Sequence, residues 1–377
     1  MEKDACLTLK TRLAYHYLKQ RGQLDVYLSY LKKEILREEL YEKIPKELID
    51  SVLNETISEK TLSSLFATID SLRGMQHVDV IIGGPPCQAY STIGRSTDKN
   101  KMKWDPRKFL YRLYAKFIEK YQPNIFVFEN VPGLLSSGGG KYLKDMLKVF
   151  TDLDYTVEYN EQNASKFGVV QNRRRIIIIG WKKELNFSYP DFGTNDITKK
   201  VSDVFLDLPE LSAGESHNIA YYTTTPNEYL QRAGIRNGVD FTTQHIARPH
   251  NVNDKKIYKK VIELWNEKQQ RLKYTDLPKS LQTHHNKDSF LDRFKVVASE
   301  LEASHTLVAH IAKDGHYYIH PDLKQLRSLT VRESARIQSF PDDYYFEGTR
   351  TTAFKQIGNA VPPLMAEKIA LKIKENI

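Results

Sequence analysis

The chain is nearly without cysteine. Cys6 and Cys87 are the only two in 377 residues, which excludes a disulfide framework and a paired-cysteine zinc site and makes a reducing cytosol the natural compartment. Long apolar runs are missing too: stretches such as Ile176 to Ile179 are strand-sized and far short of a membrane span. Glu2 and Asp4 stand where a secretory leader would be basic, and no repeat or low-complexity tract interrupts the chain. These absences predict a soluble, cytoplasmic protein with no membrane partner. Its length exceeds one ordinary compact core and reads as two domains, or as one large domain with an inserted module.

Charge is in excess. A formal net charge of +9 and a pI near 9.1 favour a polyanionic partner, although the basic residues are spread along the chain. Eight of the 11 histidines fall between His245 and His320. No cysteine joins them, and the pair His316 and His320 sits in an expected strand, so no metal is expected and these rings should face DNA or solvent.

Apolar spacing outlines the architecture. Leu9, Leu13 and Tyr17 place one apolar face on an opening helix, and residues 24–74 read as an amphipathic helical insertion, with Pro45 as a helix start and Asn54 to Ser58 as a break. Strands are expected at Val78 to Ile82, Ile125 to Phe128, Tyr155 to Tyr159 and Ile176 to Ile179. Helices should lie between, with Tyr114, Phe117, Ile118 and Tyr121 on one face and Leu143, Met146, Leu147 and Phe150 on another. This alternation predicts an α/β fold with a mostly parallel, doubly wound sheet. From Lys182 to Leu326 the pattern loosens into a second domain, closing on an expected hairpin, His305 to His310 with Tyr317 to His320. Met365, Ile369 and Ile373 mark a last helix started by Pro362-Pro363.

One stretch organises the rest. The strand ending at Ile82 empties into Gly83-Gly84-Pro85-Pro86-Cys87-Gln88-Ala89-Tyr90-Ser91, a turn whose prolines fix φ and whose glycines permit close approach, so Cys87 is a candidate nucleophile. Four further stretches follow: Phe128-Glu129-Asn130-Val131 at a strand end; Gln171-Asn172-Arg173-Arg174-Arg175 before a strand; Arg327 to Arg336, which should start a polar-faced helix; and Gln356 to Pro363, which should form a turn before the last helix.

In this order the five motifs resemble the DNA (cytosine-5) methyltransferase family. The resemblance implies a Rossmann-like, S-adenosylmethionine-dependent fold with a catalytic domain at 1–181, a smaller irregular target-recognition domain at 182–326, and a return to the catalytic domain at 327–377. It implies that Cys87 attacks cytosine C6, that Glu129 holds N3, and that Arg173 and Arg175 bind the cytosine O2 and a phosphate. Gln88, Ser91 and Arg95 would close around a flipped base, and Gln171 would hold its segment. Pro85, Asn359 and Val361 would lie near the methyl donor, S-adenosylmethionine, with Asp70 or Glu55 at its adenine. Double-stranded DNA would be the substrate, met by a monomer, and a restriction endonuclease the functional counterpart.

Two features depart from the family. Its opening strand with a Phe-x-Gly-x-Gly turn and the ribose-binding glutamate after it are not matched, and Met1 to Cys6 resembles the residues that follow them. A truncated product, a start assigned too late, or a second chain supplying that motif would each account for this. Two other readings stay open. One is an inactive DNA-binding remnant. The other is tRNA cytosine methylation, against which Ala89-Tyr90-Ser91 stands where that branch has Pro-Phe-Thr. Titration calorimetry of the 377-residue chain alone should give weak or undetectable binding of S-adenosylmethionine, and tight binding would reject the idea of an incomplete donor site.

Overall fold

A computed structural model of the chain describes residues 2–85, 109–195 and 197–375. In chain order the elements used below are α1 (Lys3–Gln20), α2 (Leu24–Leu31), α3 (Arg37–Glu42), α4 (Lys46–Asp50), α5 (Leu62–Arg73), β1 (Val80–Gly83), α6 (Leu110–Tyr121), β2 (Ile125–Asn130), α7 (Gly133–Ser136), α8 (Lys141–Thr151), β3 (Tyr155–Asn163) and β4 (Arg174–Lys182). They continue with β5 (Ser216–Tyr221), α9 (Glu228–Arg232), β6 (Phe241–Ile246), α10 (Val252–Lys268), α11 (Val331–Ile337), α12 (Arg350–Asn359) and α13 (Pro363–Lys374). Two compact units result. One comprises Met1–Asn54, Phe167–Asn172 and Asn195–Ala366; the other comprises Glu55–Lys166, Arg173–Thr194 and Glu367–Ile377.

The second of these units holds a four-stranded sheet in the order β1-β2-β4-β3. Its central strands are the β-branched and aromatic runs Ile125-Phe126-Val127-Phe128 and Ile176 to Ile179, buried throughout as strands covered on both faces must be. Phe126, Phe128, Ile176 and Ile178 pack with Tyr111, Ala115 and Ile118 of α6 and Leu143, Met146 and Phe150 of α8. Only β1 and β2 run parallel; β2 with β4 and β3 with β4 are antiparallel. The expected mostly parallel sheet is therefore mixed. The segment between Asn163 and Arg174 carries only the single turn Ala164–Phe167 and is too short for a crossover helix, so β3 and β4 close as antiparallel neighbours.

In the other unit, α1 buries a face offset from the expected one. Thr11, Ala14, Tyr15 and Leu18 point inward, while Leu9 is 53% exposed. Polar Thr11 can be buried because its hydroxyl donates to Glu347 at 2.5 Å, and Thr8 accepts from the Glu347 N–H at 2.8 Å. Tyr30 donates to the same carboxylate at 2.6 Å.

Every residue of α11 is buried, so the expected polar-faced helix is an interior one. Arg327 forks onto Glu333 at 2.7 and 2.8 Å. Arg336 reaches Asp207 at 2.5 Å and Asp342 at 2.5 Å, and Arg332 donates to the carbonyls of Thr243, Pro341 and Tyr344. Burial alone would push Glu333 up, but the Arg327 guanidinium outweighs it and holds the carboxyl well below the usual range.

Three further expectations change. Residues 305–320 form no hairpin: Tyr318 hydroxyl lies 3.0 Å from both the Val308 N–H and the Thr306 carbonyl, and Ile319 instead exchanges backbone bonds with Lys295 and Val297. His245, His305 and His320 are turned inward, each lowered to about 4 by burial, although His284, His285 and His310 are exposed. Finally, Gln356 to Asn359 belong to α12 rather than to a turn. A Cβ on Gly358 would meet Ala309 N at 2.2 Å, so this glycine serves close helix packing.

Replacing Arg336 with methionine strands two buried carboxylates and should cost about 3–5 kcal/mol in chemical denaturation. A second expectation concerns pH. His245, His305 and His320 sit near 4 when folded against an ordinary 6.5, so the unfolded chain binds more protons between those values. Stability is therefore complete above 6.5 and falls as pH drops toward 4, by up to about 3 kcal/mol per histidine. Denaturation at stepped pH should show this fall, and His320→Gln should flatten it.

Candidate active site

Glu129 and Arg175 meet at one end of the sheet. Along β2 every residue is buried except Glu129, which keeps partial exposure. Asn130, itself buried, accepts from the Val131 N–H at 2.9 Å through its side-chain oxygen, a turn that ends the strand and leaves the Glu129 carboxylate at its rim. On β4, Arg175 lies one residue beyond the Asn130–Ile176 pair. Its Nε is 2.5 Å from Glu129 Oε1, a charge contact rather than an aligned hydrogen bond, while its Nη1 donates to the Arg174 carbonyl at 2.8 Å.

The third element is the end of β1. Gly83 pairs with Phe128, which brings Gly84 level with Glu129. A Cβ on Gly84 would lie 2.9 Å from Glu129 Oε2, so a side chain there would displace the carboxylate. Tyr114 braces this approach, its hydroxyl 3.0 Å from both the Ile81 and Val127 carbonyls across the β1–β2 pair. Pro85 follows at partial exposure. Cys87, Gln88, Ser91 and Arg95 lie outside the described residues.

The arginine run divides into three environments. Arg173 is fully buried, with its N–H donating to Asn163 Oδ1 at 3.0 Å. Arg174 is exposed and pairs with Glu161, and Arg175 takes the site position. Gln171, in the other unit, is fully buried: its oxygen accepts from the Leu307 N–H at 2.8 Å and its amide donates to Gln338 at 3.1 Å. It ties its own segment to the interior. The roles of Tyr114 and Asn163 carried no signal in the sequence, since a tyrosine on an apolar helix face and an asparagine at a strand end have ordinary explanations. Closeness at Gly84 was signalled by the Gly83-Gly84 pair.

The residues expected near the methyl donor fall in both units. Asp70 lies on α5, where the hydrogen bond from Lys120, with Arg73 beside it, holds its carboxyl below the usual range. Those contacts are 3.0 and 3.2 Å. Glu55 is exposed in the connection before α5. Asn359 ends α12 with its side chain exposed, and Val361 follows half-buried, both in the other unit. Among the described residues of the unit with the four-stranded sheet, Pro85 and an Asp70 already engaged by two cations do not make a donor-binding set.

The chain is similar to known proteins. The family described as C-5 cytosine-specific DNA methylase matches residues 40–375. The type II methyltransferase M.Bpa9945I of Bacillus paralicheniformis is 40% identical over 420 aligned residues, which take in 100% of this chain and 93% of that one. M.DdeI of Desulfomicrobium norvegicum, also a type II methyltransferase, is 31% identical over 80% of this chain and 74% of its own. A prophage-encoded crystal structure described as a DNA modification methyltransferase shares the fold at a TM-score of 0.59 and 23% identity, covering 86% of this chain and 85% of that one. No helix among the described residues is long and apolar enough to cross a membrane. With the family matched over most of its length, the chain belongs to the C-5 cytosine-specific DNA methylases, enzymes that methylate DNA cytosine at C5.

Proposed function

We propose that the protein methylates cytosine C5 within a specific double-stranded DNA sequence, through a covalent adduct between Cys87 and C6 of a flipped base. One observation carries this reading: the Glu129–Arg175 pair stands beside Gly84, three residues before Cys87 in the chain. Cytosine C5 is a weak nucleophile. Attack of the Cys87 thiolate on C6 moves the ring electrons toward C5 and N3, giving an enamine whose C5 can accept a methyl group. Glu129 shares a proton with N3 and stabilises that electron shift. Arg175 fixes the carboxylate and offers its remaining N–H groups to the cytosine O2, where a planar fork outperforms a lysine. Loss of the C5 proton then expels the thiolate and restores the ring.

C6 lies inside the stack of duplex DNA, so the base must be extruded to meet Cys87. Gln88, Ser91 and Arg95 follow Cys87 closely enough in sequence to contact that base, and the buried Arg173 immediately precedes the strand carrying Arg175. The methyl group comes from S-adenosylmethionine by family membership. Residues 182–326 would read the sequence, and a restriction endonuclease cutting the same site would be the functional counterpart, with the protein acting in the cytoplasm as a monomer on DNA.

Bisulfite sequencing of DNA from a methylation-free host carrying the gene should reveal protected cytosines in one sequence context. Cys87→Ser should abolish protection, and Glu129→Gln should slow transfer by roughly 10²–10⁴ in kcat. Gly84→Ala should match the glutamine variant by displacing the carboxylate. Protection unaffected by Cys87→Ser would reject the mechanism.

A further inference from the structure

We propose that the exposed loop Thr283–Phe290 is a preorganised DNA-reading element, with Phe290 inserted into the base stack of the target duplex and the polar side chains before it reading base edges. The inference rests on the reading that duplex DNA is the substrate.

The loop is exposed at every position yet firmly built. Arg293, itself buried, donates to the carbonyls of Asn286 at 2.7 Å, Ser289 at 3.0 Å and Phe290 at 3.0 Å. Its guanidinium lies 4.0 Å over the ring of Tyr274, a fully buried residue of the core below. Asn286 Oδ1 accepts from the N–H groups of Asp288 and Ser289, and the His284 N–H donates to the Tyr274 hydroxyl at 2.7 Å. One cation and one tyrosine thus hold the whole segment from beneath.

What this frame displays is the informative part. Phe290 has a φ of 55° and is 51% exposed. A bulky aromatic rarely adopts that backbone conformation, and water is a poor environment for its ring. Holding it there makes physical sense when an apolar surface arrives to cover it, and an unstacked base step provides one. His284, His285, Asn286, Lys287 and Ser289 precede it, mixing donors and acceptors as base-edge readout requires. The same core carries α10, whose Ile257, Tyr258, Val261 and Ile262 face inward and leave Lys256, Lys259 and Lys260 exposed on the opposite side, as contacts for phosphates. A protein partner would meet the same phenylalanine amid lysines and histidines, a composition that favours a polyanion.

The test uses the full chain. Phe290→Ala keeps the Cβ and its backbone constraint but removes the ring; kcat/KM for a duplex bearing the bisulfite-mapped site should fall about tenfold, with the melting temperature unchanged. Phe290→Trp should restore it. Hydrogen exchange with a mixed-sequence duplex forms an independent arm in which amides 283–290 gain protection. If the protein transfers no methyl groups but the loop is protected, the methylation reading fails and this inference stands. Unchanged kinetics in Phe290→Ala, bound DNA with an unprotected loop, or no DNA binding at all overturns it.

Discussion

Charge buried on and just before α11 is the constraint to which much of the larger unit answers. Three arginines, Arg327, Arg332 and Arg336, are fully buried, and taking one such ion out of water costs several kcal/mol even after relaxation. Each is tolerable only where its donors are met. The chain meets them by bringing Asp207, the Thr243 carbonyl, Glu333 and the 341–344 turn to one place. Asp343, next in that turn, is bonded by Arg12 of α1 at 2.9 Å and has its carbonyl bonded by Tyr27 of α2 at 2.7 Å. Segments far apart in sequence are thereby given a common reference. Such a network is weak evidence for net stability, since apolar replacements can do as well, but it admits few alternative packings.

The sheet unit works by different means. Its core is built on aromatic rings, with Phe126 and Phe150 centroids 4.9 Å apart and Tyr114 against Phe128 at 5.1 Å. The polar chemistry is displaced to the strand ends, where Asn130 turns the chain and Gly84 approaches Glu129. Loops carry function when a rigid scaffold aims them, and here Tyr114 supplies the rigidity by joining β1 to β2 directly beneath the site.

Legibility in the sequence followed how local the determinant was. The β2 and β4 runs, the faces of α6 and α8, the Pro45 start and the Pro362-Pro363 helix all depend on neighbours within a turn or two, and each appears where periodicity puts it. The Glu129 strand end was equally readable. Misreadings arose where distant partners decide. Arg332 and Arg336 look like a solvated face until Asp207, over a hundred residues earlier, is brought beside them. Thr11 takes the inward face in place of Leu9 because its hydroxyl donates to Glu347. The histidines between 245 and 320 looked available to DNA, but His245 is satisfied by Thr330 at 3.1 Å and by the Pro209 carbonyl at 2.8 Å. The direction of the sheet failed for a related reason: alternation of strands and helices does not reveal that β4 inserts between β2 and β3.

Two of the arginine–glutamate pairs, Arg327 with Glu333 and Arg175 with Glu129, share one chemistry and differ in burial, and that difference separates a scaffold pair from the proposed site. In Arg327 and Glu333 the side chains are 1% and 2% exposed, the fork is bidentate, and Glu333 also caps its own helix through the Thr330 N–H at 2.7 Å. Every acceptor position is spoken for, so no incoming group can compete. In Arg175 and Glu129 the exposures are 11% and 21%, the contact is a single misaligned approach, and one carboxylate oxygen faces the chain at Gly84. A carboxylate held this loosely can exchange part of its guanidinium contact for the ring edge of a base without first being exposed to water. The same pair that would be inert when sealed beside α11 is therefore open, at the rim of β2, to the incoming base that the proposed mechanism requires.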